Sequence, residues 1–579
     1  MIHDENHREE RGSIPAGDSV PADIRFLNAE VFNPFTGEWQ DTGFAVRDGL
    51  IVGPGQYRAR REVDLKGNRV VPGLIDAHVH IESSLLSPPE FARLVSVHGT
   101  TTVIADPHEI ANVLGSEGID FMLHWRGRIP LDLFIMLPSC VPATPLDTGG
   151  AVLNARDLAH YSGREGVLGL GEVMNVPGVL SGDPDVMDKI HLFRIVDGHA
   201  PLLSGPDLDQ YIAAGIQSDH ECMSLGEAEE KLEKGMYLFI REGSTEKNIR
   251  EIIPLVSWKN VSRCSFATDD RHADLLLAEG HIDDCIRKAV GSGLEREIAL
   301  RMATLSPAER FSLHDRGALS PGRRADFCVI CEGNEFRVEK TFRGGELVVP
   351  DQRIPCPPIE GRFRCRTPDI ADIHLDGQGP ALVIGLVPRQ IMTNRLSLDV
   401  DSTKIPDLDR DILKVVVCSR YEKAKVATGL VHGFGITLGA IAGSVSHDSH
   451  NIVATGSGDA DIIRAISLVI RNSGGLAVVS GDESTVLPLE CAGLMSVRPY
   501  EEVGELLGRL NRHARQIGGI EDSFMYLSFL ALSVIPQLRI TEHGLFDVER
   551  FSSVPVFSAE DFAPAGERGI TPGEGGQKR

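Results

Sequence analysis

Positive charge is what this chain has least of. Lys and Arg number 58 against 83 Asp and Glu, a formal net charge of -25 over 579 residues. A surface that acidic repels phosphate backbones and anionic headgroups. Neither a nucleic-acid partner nor a membrane partner is therefore expected, and a small neutral or cationic substrate fits better. Long apolar runs are also missing. Nowhere do 18 uninterrupted apolar residues occur, and Met1 to Glu10 carries charges where a signal peptide needs an apolar core. Cysteine is sparse, ten residues scattered from Cys140 to Cys491 without the spacing of a disulfide framework. These absences point to free thiols in a reducing, cytoplasmic setting. A smaller absence argues against a nucleotide cradle: Gly433-Phe434-Gly435-Ile436-Thr437-Leu438-Gly439 lacks the third glycine at the dinucleotide spacing.

What is present is a rhythm of short elements. A chain this long cannot share one core, and its character changes several times. Residues 1–22 and 563–579 are polar or glycine-rich and read as disordered tails. Short strands with Asp-Gly and Gly-Pro turns fill Ile24 to Gly53, and similar text returns at Gly317–Cys331 and Val338–Val348. Residues 23–72 and 313–365 are thus expected to pack as one discontinuous small β-sandwich domain. Between them, 73–312 alternates apolar strands with amphipathic helical stretches, such as Ala228–Lys234 and Thr245–Val256, the pattern of parallel βα units. A separate α/β domain is expected at 366–562, with strands at Ala381–Val387 and Leu413–Val417 and helices at Asp459–Arg471 and Tyr500–Gln516. The fold class is α/β.

Eight strands can be counted in the middle region: Leu74–His80, Thr101–Asp106, Asp132–Leu137, Val167–Val173, Ile195–His199, Gly215–His220, Met236–Arg241 and Cys264–Asp269. Eight βα units make a (β/α)8 barrel, whose chemistry sits at the C-terminal strand ends. That is where the metal-capable residues fall. His78 and His80 project from one face of strand one, because side chains alternate along a strand. Strand four supplies Glu172, strand five His199, strand six His220 and strand eight Asp269. Each taken singly has a plain alternative, a core histidine or a helix cap. Taken together they make two metal sites sharing the Glu172 carboxylate. Cations about 3.5–4 Å apart would polarise one water and bring its pKa toward about 7. Asp269 can ligate and accept the proton released on attack, and His220 can ligate or orient the water.

The motifs Pro72-Gly73-Leu74-Ile75-Asp76-Ala77-His78-Val79-His80 and Pro321-Gly322-Arg323-Arg324-Ala325-Asp326 resemble the amidohydrolase superfamily. More narrowly, His80-Ile81-Glu82-Ser83-Ser84, Asp106-Pro107-His108-Glu109-Ile110-Ala111-Asn112-Val113, Gly171-Glu172-Val173-Met174-Asn175, Ser218-Asp219-His220-Glu221 and Ala267-Thr268-Asp269-Asp270-Arg271 are similar to the bacterial-type adenine deaminases within it. The resemblance runs from residue 23 to near residue 560. It implies hydrolysis of adenine to hypoxanthine and ammonia, a purine salvage step, by hydroxide generated at a binuclear centre. The implied cofactors are two Mn2+ or Fe2+ per subunit, with Zn2+ also admissible. Glu172, unmodified, takes the place where many superfamily members carry a carboxylated lysine. The mechanism expected with it is attack at C6 with the proton passing through Asp269 to the leaving amine, and Glu221, next to His220, is a candidate donor to ring N1. A homodimer or higher homo-oligomer is expected. Arg241, Ser244 and Asp270, at the ends of strands seven and eight, are candidates to read the purine edge. His108, after strand two, with His447 and His450 could bind an extra metal or close over the substrate.

Two other readings stay open. A ring-opening cyclic amidohydrolase of the dihydropyrimidinase or hydantoinase kind would turn the same hydroxide on an amide carbonyl, and Glu172 is the discriminator. A noncatalytic metal-binding barrel would have to account for six intact ligands. Cys328-Val329-Ile330-Cys331 with His80-Ile81-Glu82 superficially matches the zinc base deaminases. However, Phe327 stands where proline should be, and an offset of three puts the thiols on opposite faces of a strand.

Overall fold

The computed structural model describes residues 21–558 apart from 56, 145, 332–335, 351 and 389. Of the two expected tails only residues 21 and 22 fall within this range, and Ala22 opens a strand. The rest of both tails lies outside the described residues.

Both segments that flank the barrel contribute to the first sheet. Strand Arg69–Pro72 runs parallel to Ala22–Asn33 on one side and antiparallel to Phe327–Ile330 on the other. Alternation along these strands turns Phe26, Phe44, Phe327 and Phe342 to one side, where their rings meet at 4.5–5.4 Å, mostly edge to face. The sheet then hands the chain to the barrel through Gly73. A Cβ there would lie 2.7 Å from the Thr101 methyl, so only glycine allows strand two this close.

The barrel strands are Leu74–Val79, Thr100–Ala105, Asp132–Leu137, Val167–Val173, Val196–Gly198, Ser218–Asp219, Tyr237–Arg241 and Cys264–Ala267, numbered one to eight below. One to five pair in parallel in that order, as do six to eight. The Gln217 amide donates to the Val196 carbonyl at 3.1 Å and joins the two runs; the Asp269 amide donates to the His78 carbonyl at 3.1 Å and closes the ring. Strands five and six are short because side chains take over the ladder, with Ser218 Oγ accepting from the Gly198 amide and Asp219 Oδ1 from the Ala200 amide.

One expectation fails here. The helix read over Thr245–Val256 is a single turn, Ile249–Ile252, running into a 3-10 turn at Ile253–Leu255. Residues 242–247 form a tight loop instead, with the Gly243 amide donating to the Glu246 carbonyl. Pro254 and the run of residues that prefer turns explain the break, and the loop swings Glu246 into the barrel mouth.

The C-terminal portion is built on an eight-stranded sheet from Gln378 to Pro488, mostly antiparallel, with helices Asp459–Arg471 and Tyr500–Gln516. Its loop Ser444–Asn451, short helix Ser523–Phe529 and the residues that follow lie over the C-terminal end of the barrel. No helix among the described residues is long and apolar enough to cross a membrane.

Candidate metal centre

Six side chains from five strand ends converge in the barrel mouth, each no more than 5% exposed. His78 Nε2 and His80 Nε2 lie 3.1 Å apart, and both face Asp269 Oδ1, at 3.5 and 3.1 Å. Glu172 Oε1 is 3.4 Å from His80 Nε2, while its Oε2 is 3.0 Å from both His199 Nδ1 and His220 Nε2. Ligands about 2.1 Å from one tetrahedral ion stand about 3.4 Å apart, so these spacings match the edges of coordination polyhedra. Buried nitrogens and carboxylates packed against each other call for positive charge between them. The residues therefore fit a divalent metal centre in which Glu172 faces both donor sets.

Several of these side chains are held from behind. His80 Nδ1 donates to the Asp106 carbonyl at 2.9 Å, which turns Nε2 inward. Asp106 Oδ2 accepts from the Glu172 amide at 2.9 Å, and Asp76 Oδ1 accepts from the His78 amide at 3.2 Å. Tyr211 bridges the His199 amide and the Val173 carbonyl, at 3.0 and 2.7 Å. Fully buried Lys231 donates to Asp219 Oδ2 at 2.9 Å and to the Ala200 carbonyl at 2.6 Å, fastening the ends of strands five and six. Burial pushes the Asp219 carboxyl up, but Lys231 and the surrounding donors more than reverse this and bring it down to about 2.

The electrostatics favour bound cations. Burial pushes the Glu172 and Asp269 carboxyls up, yet hydrogen bonds from the surrounding imidazoles hold both well below the usual carboxylate range. Burial pushes the His220 imidazole down, yet Glu172 and Asp269 bring it up to about 9. A field that protonates imidazole is one that attracts a divalent ion.

A cavity with an empty volume of about 330 Å³ opens beside these ligands, at the small end for a ligand site. The C-terminal portion roofs it with Ile391, Phe529 and Leu532. Glu221, Arg241 and Asp270 line it, as do His108 and His447. Arg241 is already engaged, pairing with both oxygens of Glu221 and, at 2.8 Å, with Asp269 Oδ2. Ser244, expected on the purine edge, is instead turned to accept the His272 amide at 3.0 Å and is not in the cavity wall. His450 is fully buried and likewise not in the wall. Two charged wall residues escaped the sequence reading. Glu246 was hidden in the expected helix, and Asp448, beside His447, lay in a motif that already suggested an extra metal.

A family model for the amidohydrolase family matches residues 69–348, and one described as the adenine deaminase C-terminal domain matches residues 390–552. Over 516 residues the chain is 63% identical to the adenine deaminase of Methanoculleus marisnigri, covering 89% of this chain and 99% of that one. The chain belongs to the adenine deaminase family. Within the family it is also 60% identical over 550 residues to the adenine deaminase of Methanoregula boonei, covering 94% and 98% of the two chains. Among solved structures it matches an enamidase of the amidohydrolase superfamily at 19% identity and TM-score 0.44, over 56% of this chain and 96% of that one. A crystal structure of an adenine deaminase matches at 16% identity and TM-score 0.41, over 56% and 99%. The two family models fall on the two parts of the chain whose residues meet in the cavity.

Proposed function

We propose that this chain hydrolyses adenine to hypoxanthine and ammonia at a two-cation centre held by His78, His80, Glu172, His199, His220 and Asp269. One observation carries the reading: the unmodified Glu172 carboxylate joins the two donor sets, Oε1 toward His80 and Oε2 toward His199 and His220. The relatives at 63% and 60% identity, matched over 99% and 98% of their lengths, are named adenine deaminases. Two Mn2+ or Fe2+ ions, which accept imidazole and carboxylate donors, would supply a water acidified enough to act as nucleophile near neutral pH.

The chain's own residues manage the protons. Asp269 presents Oδ1 to the histidines while Arg241 holds Oδ2. It is placed to take the proton from the attacking water and return it to the amine leaving C6. Glu221 is less suited to donate to ring N1, because both its oxygens are already paired with Arg241. Glu246 takes that role. Burial is the main reason its carboxyl is pushed up to about 8, and its Oε2 has no partner among the described residues. It enters the reaction neutral at pH 7 and gives its proton to the ring. Asp270 faces the exocyclic edge, and Phe529 and Leu532 cover the ring plane. The enzyme works in the cytoplasm as a homodimer or larger homo-oligomer, and its domains divide near residues 73, 313 and 366.

Glu172→Gln tests the shared carboxylate. Metal content should fall below two equivalents per chain and adenine turnover at least about 100-fold; two retained equivalents with ordinary turnover would refute the assignment.

A further inference from the structure

We infer that a third divalent cation binds between the barrel and the C-terminal portion, ligated by His108 Nε2, an imidazole nitrogen of His447 and the Asp448 carboxylate. The inference does not rest on which substrate the enzyme takes. The three ligand atoms lie within 4.8 Å of one another, and each residue is at most 4% exposed. His108 Nε2 is 3.5 Å from Asp448 Oδ1, close to the ligand spacing around a tetrahedral ion of about 3.4 Å. His447 Nε2 and Asp448 Oδ2 are buried with no hydrogen-bond partner among the described residues. Orphaned buried polar atoms are costly, and a cation satisfies both at once.

Geometry selects this set. His108 Nε2 faces Asp448 Oδ1, while its Nδ1 lies 3.4 Å from Glu172 Oε1 and 3.7 Å from Asp106 Oδ1 without a hydrogen bond to either. A neighbouring set, Glu109 with His447 and His450, is spaced for a metal as well. It fails on His450, whose Nδ1 accepts the Ser446 amide at 3.3 Å, leaving the ring proton on Nε2, the nitrogen that faces Glu109. His450, expected with His108 and His447, drops out and Asp448 replaces it. His447 is fixed by its amide, which donates to the Ser528 carbonyl at 2.9 Å, and by stacking on Phe529 at 4.8 Å. Two imidazoles and one carboxylate suit Zn2+, Mn2+ or Fe2+, and water can complete the shell from the cavity side. Such an ion pins the roof to the barrel mouth, and His108 places it one residue away from Glu172.

Chelator-stripped full-length protein titrated anaerobically with Mn2+, with free Mn2+ read by electron paramagnetic resonance, should saturate at three equivalents per chain. The isosteric Asp448→Asn should saturate at two, with the two remaining affinities unchanged and native circular dichroism. Crystals of the Mn2+-loaded protein should show an anomalous peak between His108 and Asp448. Wild-type saturation at two equivalents, or three equivalents kept by Asp448→Asn, would overturn the site whatever the substrate proves to be.

Discussion

Replacing Gly171 by alanine should dismantle the metal centre from one residue away. Gly171 precedes Glu172 on strand four, and a Cβ built there lies 2.5 Å from Asp106 Cγ, with the Oδ2 atom closer still. Asp106 cannot yield cheaply. Its Oδ2 holds the Glu172 amide at 2.9 Å and its carbonyl holds His80 Nδ1 at 2.9 Å, so any shift loosens a ligand in each donor set. Overpacking a tight site and losing a hydrogen bond to a charged acceptor together cost about 3–6 kcal/mol. Loosened orienting contacts cost about 10–100-fold in metal affinity. Gly171→Ala, loaded with Mn2+ and gel-filtered, should carry fewer than two equivalents, turn over adenine at least tenfold more slowly and unfold at lower urea. Full metal content, unchanged kcat/KM and an unchanged urea midpoint would refute the idea that Asp106 is the common support.

Lys231→Met would strand Asp219 at 1% exposure without its buried partner. Breaking such a pair costs about 3–5 kcal/mol, visible as an earlier denaturant midpoint. Because Asp219 titrates at about 2 in the folded protein, its stabilising contribution is complete above the ordinary carboxylate value near 3.9 and is lost as pH falls toward about 2. Acid unfolding followed by circular dichroism should show that loss in the wild type and not in Asp219→Asn. Glu246 is useful only while protonated, so wild-type kcat/KM should fall as pH rises through about 8. Glu246→Gln should lose about 100-fold or more in rate together with that alkaline limb; a limb that survives the substitution would return the role to another acid.

Much of the barrel was legible because its signals are local. Apolar strand segments and His-x-His alternation are short-range facts, and the observed strands two, three and four differ from the expected spans by one residue at most. The helices Asp459–Arg471 and Tyr500–Gln516 were likewise readable from a clear 3.6-residue period. Functions that depend on distant chain segments were not. Glu246 reads as helical text, and only the loop closed by Gly243 shows that it faces the cavity. Ser244, two residues earlier, is captured by the His272 amide, a contact 28 residues away in sequence. Asp448 acquires meaning only when the C-terminal portion sets it 3.5 Å from His108, 340 positions away. Arg241 has the right chemistry for substrate, but Glu221 and Asp269 claim it first.

The most direct test is product analysis of the Mn2+-loaded chain offered adenine, adenosine and dihydrouracil in parallel. Equal amounts of hypoxanthine and ammonia should form from adenine alone, whereas conversion of adenosine but not adenine, or opening of dihydrouracil without ammonia, would contradict the account.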